Sequence, residues 1–350
     1  MKAASWPRDD RASTRLMVLD HARDDVAHAT TGELGRFLRR GDVLVVNDAA
    51  TVPASLAAVG PLGEPMEVRL AGPTARTDTW HAVLFGEGDW RTRTESRPPP
   101  PPAEAGDALT VGALRAVVRA VSPLSPRLVE LAFEGGEDRV ITELYGHGRP
   151  VQYAHVERPL PLFHVQTAYA GPPWAVEQPS AGRPLTWQSL CSLAAAGVAL
   201  AWVTHAAGLS STGDAALDAA LPLPERSRLP AETLDAIARA RAAGGRVVAV
   251  GTSVVRALEG NHAAHGALVA GEATIDARLG AGWQRRVVDA VLSGIHEEGT
   301  SHFELLTSFL PREHLLRGSR EAEREGYLGH ELGDACLVVG PAARGGRGAE

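Results

Sequence analysis

The chain has 350 residues, 44% hydrophobic and 22% charged, with a formal charge of −7 and two cysteines. That is an ordinary globular composition with room for one to three domains and no global cationic field for a polyanion. Only one of its 35 basic residues is a lysine, Lys2, which excludes a P-loop, a kinase strand lysine and a Schiff-base lysine.

Taken in chain order, "MKAASWPRDDRASTRL" carries no apolar run of the signal-peptide kind, and no stretch reaches the roughly 20 apolar residues of a membrane span. A cytoplasmic location with no membrane partner is therefore expected. "TGELGRFLRRG" (31–41) reads as a helix ending at Gly41, and "DVLVVND" (42–48) as a strand buried on both faces. From 57 to 150 the short alternating segments "MEVRL", "WHAVLF", "RAVVRAV" and "RLVELAF" predict an antiparallel barrel or sandwich. "RPPPPPAEAG" (97–106) reads as an exposed extended loop within it.

After 150 the pattern becomes α/β. "TWQSLCSLAAAG" and "PAETLDAIARARAAGG" read as helices, and "VALAWVTHA", "RVVDAVLSG" and "DACLVVG" as strands. A further helix starts at Ser301, where "SHFE" fits a capping box. The expected fold is α/β: a largely parallel sheet domain (1–56 and 151–340) interrupted by an inserted antiparallel β-barrel (57–150), with a disordered tail at 341–350. Arg36, Arg39 and Arg40, like Arg239, Arg241 and Arg246, read as arginines on solvated helix faces.

In open α/β sheets, ligands sit at the carboxyl ends of strands. Asn47-Asp48, Thr204-His205, Gly251-Thr252 and Ser293-Gly294 fall at such ends. In "RVVAVGTSVVRALEG" (246–260) Thr252 or Ser253 would cap the next helix, whose free amides suit a carboxylate or phosphate. GxGxxG and GxSxG are absent, and Cys191 and Cys336 have no CxxC partner. No metal site is expected: "IHEEGTSH" (295–302) lacks HExxH spacing, and "GHELGD" (329–334) lacks a second histidine. Motifs alone stop at an α/β enzyme of unstated chemistry.

Several blocks in shared order carry more. "RDDRASTRLMVLD", "GDVLVVND", "PMEVRL", "VQTAYA", "AVEQPSAG", "THAAG", "AVGTSVVRALE", "VVDAVLSGIH" and "YLGHELGDACLVV" span roughly residues 8–339. Together they resemble the S-adenosylmethionine:tRNA ribosyltransferase-isomerase family of queuosine biosynthesis. The resemblance implies S-adenosylmethionine as cosubstrate, no separate cofactor, and tRNA as a partner. It also implies a reaction: a base removes the C5′ proton acidified by the sulfonium, the ribosyl group passes to a 7-deazaguanine and isomerises, and adenine and methionine leave. By the same resemblance Gly251, Thr252 and Arg256 hold the donor, and Asn47, Gln166, Ser180 and Gly182 line its cleft. Asp48 or His205 handles the proton.

The chain also departs from the family's usual residues. Ala49 and Ala50 stand where Thr-Arg is usual, and Ser55 where another arginine is. The Thr-Ala-Gly-Leu-His run is replaced by Ser180 through Pro184, and "ALPLPERSR" takes the place of a histidine-rich segment. Loss of arginines is expected where a polyanion is no longer bound. Two alternatives follow: an S-adenosylmethionine-using enzyme of the same fold acting on a small molecule, or a non-catalytic ligand-binding homologue.

Overall fold

The computed structural model describes residues 1–23, 25–74, 76 and 78–343. Of the tail expected to be disordered, 344–350 lies outside the described residues. Its first part is docked: Pro341 O accepts from Arg285 (2.9 Å), and the Ala343 amide donates to Asp289 (2.8 Å). Buried acceptors need partners, and this segment supplies and receives them.

The chain opens with β1 (Arg15–Asp20) and its hairpin partner β2 (Ala27–Thr30), and enters the sheet centre with β3 (Val43–Asn47). Val43 through Val46 have no exposed surface, as a strand covered on both faces requires. The predicted helix over 31–41 is instead a 3₁₀ turn, Thr31–Arg36, with Gly41 at φ +92°. Gly32 and Gly35 each cost a helix interior about 1 kcal/mol, so no α-helix propagates there.

Six strands then close a barrel: β4 (Ser55–Val59), β5 (Pro65–Pro73), β6 (Thr79–Phe85), β7 (Ala108–Val111), β8 (Leu114–Val121) and β9 (Leu128–Phe133). In β8, Leu114, Ala116 and Val118 are buried while Arg115 and Arg119 are exposed, the period of two that directs one face inward. The barrel also encloses charge. Arg69 and Arg97 both pair with Glu67 and lie over the Phe85 ring. The polyproline stretch is extended and largely exposed as expected, but its first residue, Arg97, is buried as part of this anchor. A helix that the alternation did not suggest, α1 (Gly136–His147), follows the barrel.

The remaining elements are α2 (Leu162–Val165), α3 (Trp187–Ala195), β10 (Ala199–His205), α4 (Ala215–Ala220), β11 (Glu225–Leu229), α5 (Ala231–Ala242) and β12 (Val247–Val250). They continue with α6 (Thr252–His265), β13 (Gly271–Ile275), β14 (Ala290–Gly294), α7 (Ser301–Leu306), α8 (Arg312–Arg324) and β15 (Ala335–Val339). The sheet order is β13-β11-β10-β3-β12-β14-β15-β1-β2. Its centre, β10-β3-β12-β14, is parallel as expected, while β13-β11-β10, β14-β15 and β1-β2 pair antiparallel, so the nine-stranded sheet as a whole is mixed. α7 is capped not by Ser301 but by Thr300, whose Oγ1 accepts from the Phe303 amide (3.2 Å).

The two ends of the parallel strands differ in chemistry. At the amino ends, Arg246 is paired with Asp42 (2.6 Å) and Arg241 with Asp289 (2.8 Å). Arg246 ties the start of β12 to that of β3 and Arg241 ties α5 to the start of β14, whereas Arg36, Arg39, Arg40 and Arg239 are exposed. At the carboxyl ends lie short polar loops. Among the described residues no helix is long and apolar enough to cross a membrane.

Candidate active site

Because β3, β10, β12 and β14 run parallel, their polar ends meet along one edge of the sheet. Asn47, 1% exposed, joins two of them. Its Oδ1 accepts from the His205 amide (2.9 Å) and the Ala49 amide (3.1 Å), and its Nδ2 donates to His205 O (2.9 Å) and to Ser253 Oγ (3.4 Å). The Asn47 amide is thus spent on holding β3, β10 and the start of α6 in register.

Gly251 is the residue before α6, with φ +94°, a conformation that favours glycine. Neither Thr252 nor Ser253 caps the helix. They are its first two residues, and no side chain caps the helix start at Gly251. Its first-turn amides, like those of α1, α5 and α8, have no capping side chain and are open to another acceptor. Ala181 of the 3₁₀ turn Ser180–Gly182 packs beside Gly251, so Ser180 and Gly182 border the same helix start. A methyl group on Gly182 would overlap the Tyr169 hydroxyl.

His205 has no exposed surface, and its Nε2 lies 2.7 Å from Glu225 Oε2. Antiparallel pairing of β11 with β10 brings Glu225 there, where it also takes the Gly208 amide (2.7 Å) and an ion pair from Arg256. Burial pushes the Glu225 carboxyl up, but His205, Arg256 and the Gly208 N–H together outweigh it and hold it below the usual carboxylate range. Arg256 also donates to Ala277 O (3.1 Å) and Leu223 O (3.4 Å). Its guanidinium faces Glu225 and backbone carbonyls. The other ring nitrogen of His205, Nδ1, is buried with no hydrogen-bond partner.

Asp48, half-buried, accepts from Thr204 Oγ1 (2.7 Å), which in turn accepts from Arg228 (3.1 Å). Burial raises the Asp48 carboxyl, opposed by the Thr204 hydroxyl and the Arg228 charge. The Tyr169 hydroxyl is buried without a partner, and burial together with the Asp48 charge pushes its pKa well up, so it stays a donor. Gln166 makes a two-way amide pair with Thr51, donating to its carbonyl (2.8 Å) and accepting from its N–H (2.9 Å). It therefore fixes the loop beyond Asp48.

His296 bonds to Ser293 Oγ (2.7 Å) and stacks on His302 (4.8 Å between centroids, 14° between planes). Burial lowers both pKa values, most strongly for His296, so both rings are neutral. Arg183 is 2% exposed and meets one carbonyl, Leu332 O, at 3.4 Å while its Nε has no partner. Burial, helped by Arg11 and Arg8, lowers its pKa to about 10.

Asn47, Asp48, Ser180, Gly182, His205, Gly251 and Thr252 thus converge on one edge, with Gln166 behind its loop and Arg256 behind His205. Glu225, Tyr169 and Arg183 were not singled out from sequence. Glu225 sits in "ERSRL" on the face it shares with buried Ser227 and Leu229, but only strand pairing supplies the His205 that it meets there.

Residues 1–338 match the model of a family described as queuosine biosynthesis protein. An S-adenosylmethionine:tRNA ribosyltransferase-isomerase of Thermus thermophilus is 33% identical over 95% of this chain and 94% of its own. The protein of that name from Moorella thermoacetica is 31% identical over 96% of each. The crystal structure of an S-adenosylmethionine tRNA ribosyltransferase from Thermotoga maritima shares the fold, with a TM-score of 0.52 and 23% identity over 96% of each chain.

Proposed function

Since the chain belongs to the queuosine biosynthesis protein family, we propose that it is an S-adenosylmethionine:tRNA ribosyltransferase-isomerase, the activity named for its relatives. The observation that carries this reading is the helix start at Gly251, uncapped by any side chain and tied through Asn47 to His205, within a sequence that matches those relatives almost end to end. S-adenosylmethionine is then the cosubstrate and no separate cofactor is called for. On this reading the enzyme works in the cytoplasm, where its tRNA is.

The first-turn amides at Thr252 and Ser253 suit the donor's carboxylate, because a helix amino end carries partial positive charge. Arg256 acts at one remove: it holds Glu225, and Glu225 holds the His205 ring. His205 Nδ1 is the proton acceptor at C5′, and the Glu225 carboxylate stabilises the imidazolium that forms. Asp48 and the Tyr169 hydroxyl line the adjoining wall, the hydroxyl donating to a leaving or migrating oxygen or nitrogen. Arg226 and Arg228, which lie over the Trp174 ring (3.8 and 5.4 Å), offer a stacking face for a nucleobase acceptor.

A second reading, a small-molecule acceptor, draws on Ala49 and Ala50, both buried where the resemblance leads one to expect a threonine and an arginine. One assay separates the two. Purified protein is given S-adenosylmethionine with and without tRNA bearing 7-aminomethyl-7-deazaguanine, and adenine and methionine are measured. Release only with the tRNA is expected. Release without it points to cleavage of the donor alone, and no release in either tube, with donor binding confirmed, rejects the tRNA acceptor and leaves the small-molecule reading or a non-catalytic binder.

A further inference from the structure

The tripeptide Gly329-His330-Glu331 lacks a second histidine in sequence, but the fold supplies one from 175 residues earlier. His155, in the segment between α1 and α2, lies against the turn that precedes β15. The nitrogen and oxygen donors of His155, His330 and Glu331 all lie within 4.8 Å of one another.

Three features set this cluster apart from an ordinary ion pair. First, His155 Nε2 is 3.2 Å from Glu331 Oε2, yet it is buried and not aligned to share a hydrogen bond with it. Two donors bound about 2.0–2.1 Å from one tetrahedral ion stand about 3.3–3.4 Å apart, each aimed at the ion rather than at the other. Second, the His155 and His330 rings lie 4.6 Å apart at 34°, tilted rather than flat-stacked, so their edges can converge. Third, His330 has φ +65°, the one non-glycine residue with positive φ among the described residues. A left-handed histidine is uncommon, and strained backbone of this kind collects at ligand sites.

We propose that His155, His330 and Glu331 form a binding site for a divalent transition ion, of which zinc is the best fit. Two imidazoles and one carboxylate suit zinc; magnesium prefers an all-oxygen octahedral shell. Of the three, His330 is exposed, so it has room to swing inward and draw the donors, all within 4.8 Å of one another, to the separation of about 3.4 Å that a tetrahedral ion needs. Three protein ligands leave a fourth position open. The ion would cross-link the segment that leaves the barrel to the turn that enters β15, beside Tyr153, which stacks on His155, and Glu177, to which Tyr153 is hydrogen-bonded. The site is independent of the donor reading above, since none of its ligands is used there.

The test uses the full untagged chain, stripped with chelator, and two readouts. Zinc content after dialysis is measured by elemental mass spectrometry, and the unfolding midpoint is followed with zinc or magnesium added. One zinc per chain is expected, with a midpoint rise of about 4 °C at a hundredfold excess over Kd and no rise with magnesium. His155→Ala, His330→Ala and Glu331→Gln should each weaken zinc binding by more than about 100-fold, a loss beyond that of second-layer partners. His330→Ala changes an exposed residue, so its metal-free midpoint should match the parent's even if His155→Ala folds poorly. No zinc retained by the parent would overturn the proposal. So would zinc retained unchanged in all three variants, which would locate the ion elsewhere, at His296 and His302 for instance.

Discussion

At the scale of the residue, two groups have opposite expectations. His205 is held by Glu225 on one ring nitrogen and is bare on the other. If it accepts the proton, His205→Ala lowers turnover by about 10²- to 10⁴-fold, the range of general-base catalysis, while S-adenosylmethionine still raises the unfolding midpoint. A variant that turns over at the parent rate would remove His205 from the chemistry. Asp48 is a carboxyl whose pKa is raised in the folded state, chiefly by burial. The folded state therefore holds the proton more tightly than the unfolded one. That contribution is full below the ordinary value of 3.8 and is lost as pH rises through the raised one. Asp48→Asn keeps an acceptor for Thr204 and carries no charge, so its unfolding midpoint at pH 7 should exceed the parent's, with lower activity. A midpoint at or below the parent's would contradict this account. Gly182 is fixed by contact rather than by φ. Gly182→Ala drives a methyl into the Tyr169 hydroxyl and should cost about 1–3 kcal/mol, and Tyr169→Phe in the same chain should recover part of it. Chemical denaturation of the two single variants and the double would measure that coupling.

At the scale of the element, β10, β11 and α6 are tied by one buried set of charges: His205, Glu225 and Arg256. Each of the three is less than 10% exposed at its side chain. Removing one partner of a buried pair strands the other, at about 3–5 kcal/mol. Glu225→Gln and Arg256→Ala are therefore both expected to lower stability, and the double variant should lose less than the two single losses added. An Arg256→Ala chain as stable as the parent would mean that the guanidinium is available to a ligand after all. The two cysteines test a different pair of elements. Cys191 is exposed on α3, while Cys336 lies inside β15, where burial pushes its pKa up to about 12. Only thiolate reacts, so one thiol per chain should label in native buffer and two in denaturant; two in native buffer would mean that β15 opens readily.

At the scale of the whole molecule, the charge asymmetry of the sheet separates stability from function. Arg–Asp pairs close the amino ends of the central strands, and uncapped amides and a bare imidazole nitrogen occupy the carboxyl ends. A net charge of −7 and the alanines at 49 and 50 leave phosphate contact to local cations such as Arg226 and Arg228. If tRNA is the acceptor, its retention should fall steeply with salt, by about 0.7–0.9 in log–log slope for each phosphate neutralised. Salt-independent retention would favour the small-molecule acceptor.

What the amino-acid order settled by itself is what local periodicity and covalent chemistry can carry: the buried strand at 43–47, four of the six barrel strands, the helices at 187 and 231, the exclusion of lysine-dependent chemistries, and the strand-end residues Asn47, Asp48, His205 and Gly251. Each of these depends on neighbours a few positions away. The 3₁₀ turn at 31–36 escaped because two glycines override an apolar spacing that otherwise looks helical. The Thr300 cap escaped because Ser301 offers the same chemistry one residue on. Only the tertiary structure decided which groups meet across long loops: Glu225 against His205 and Arg256, Tyr169 against Gly182, and His155 against His330 and Glu331. Strand order and edge pairing create those contacts, and an isolated stretch of sequence carries no record of the partner that will neutralise its charge.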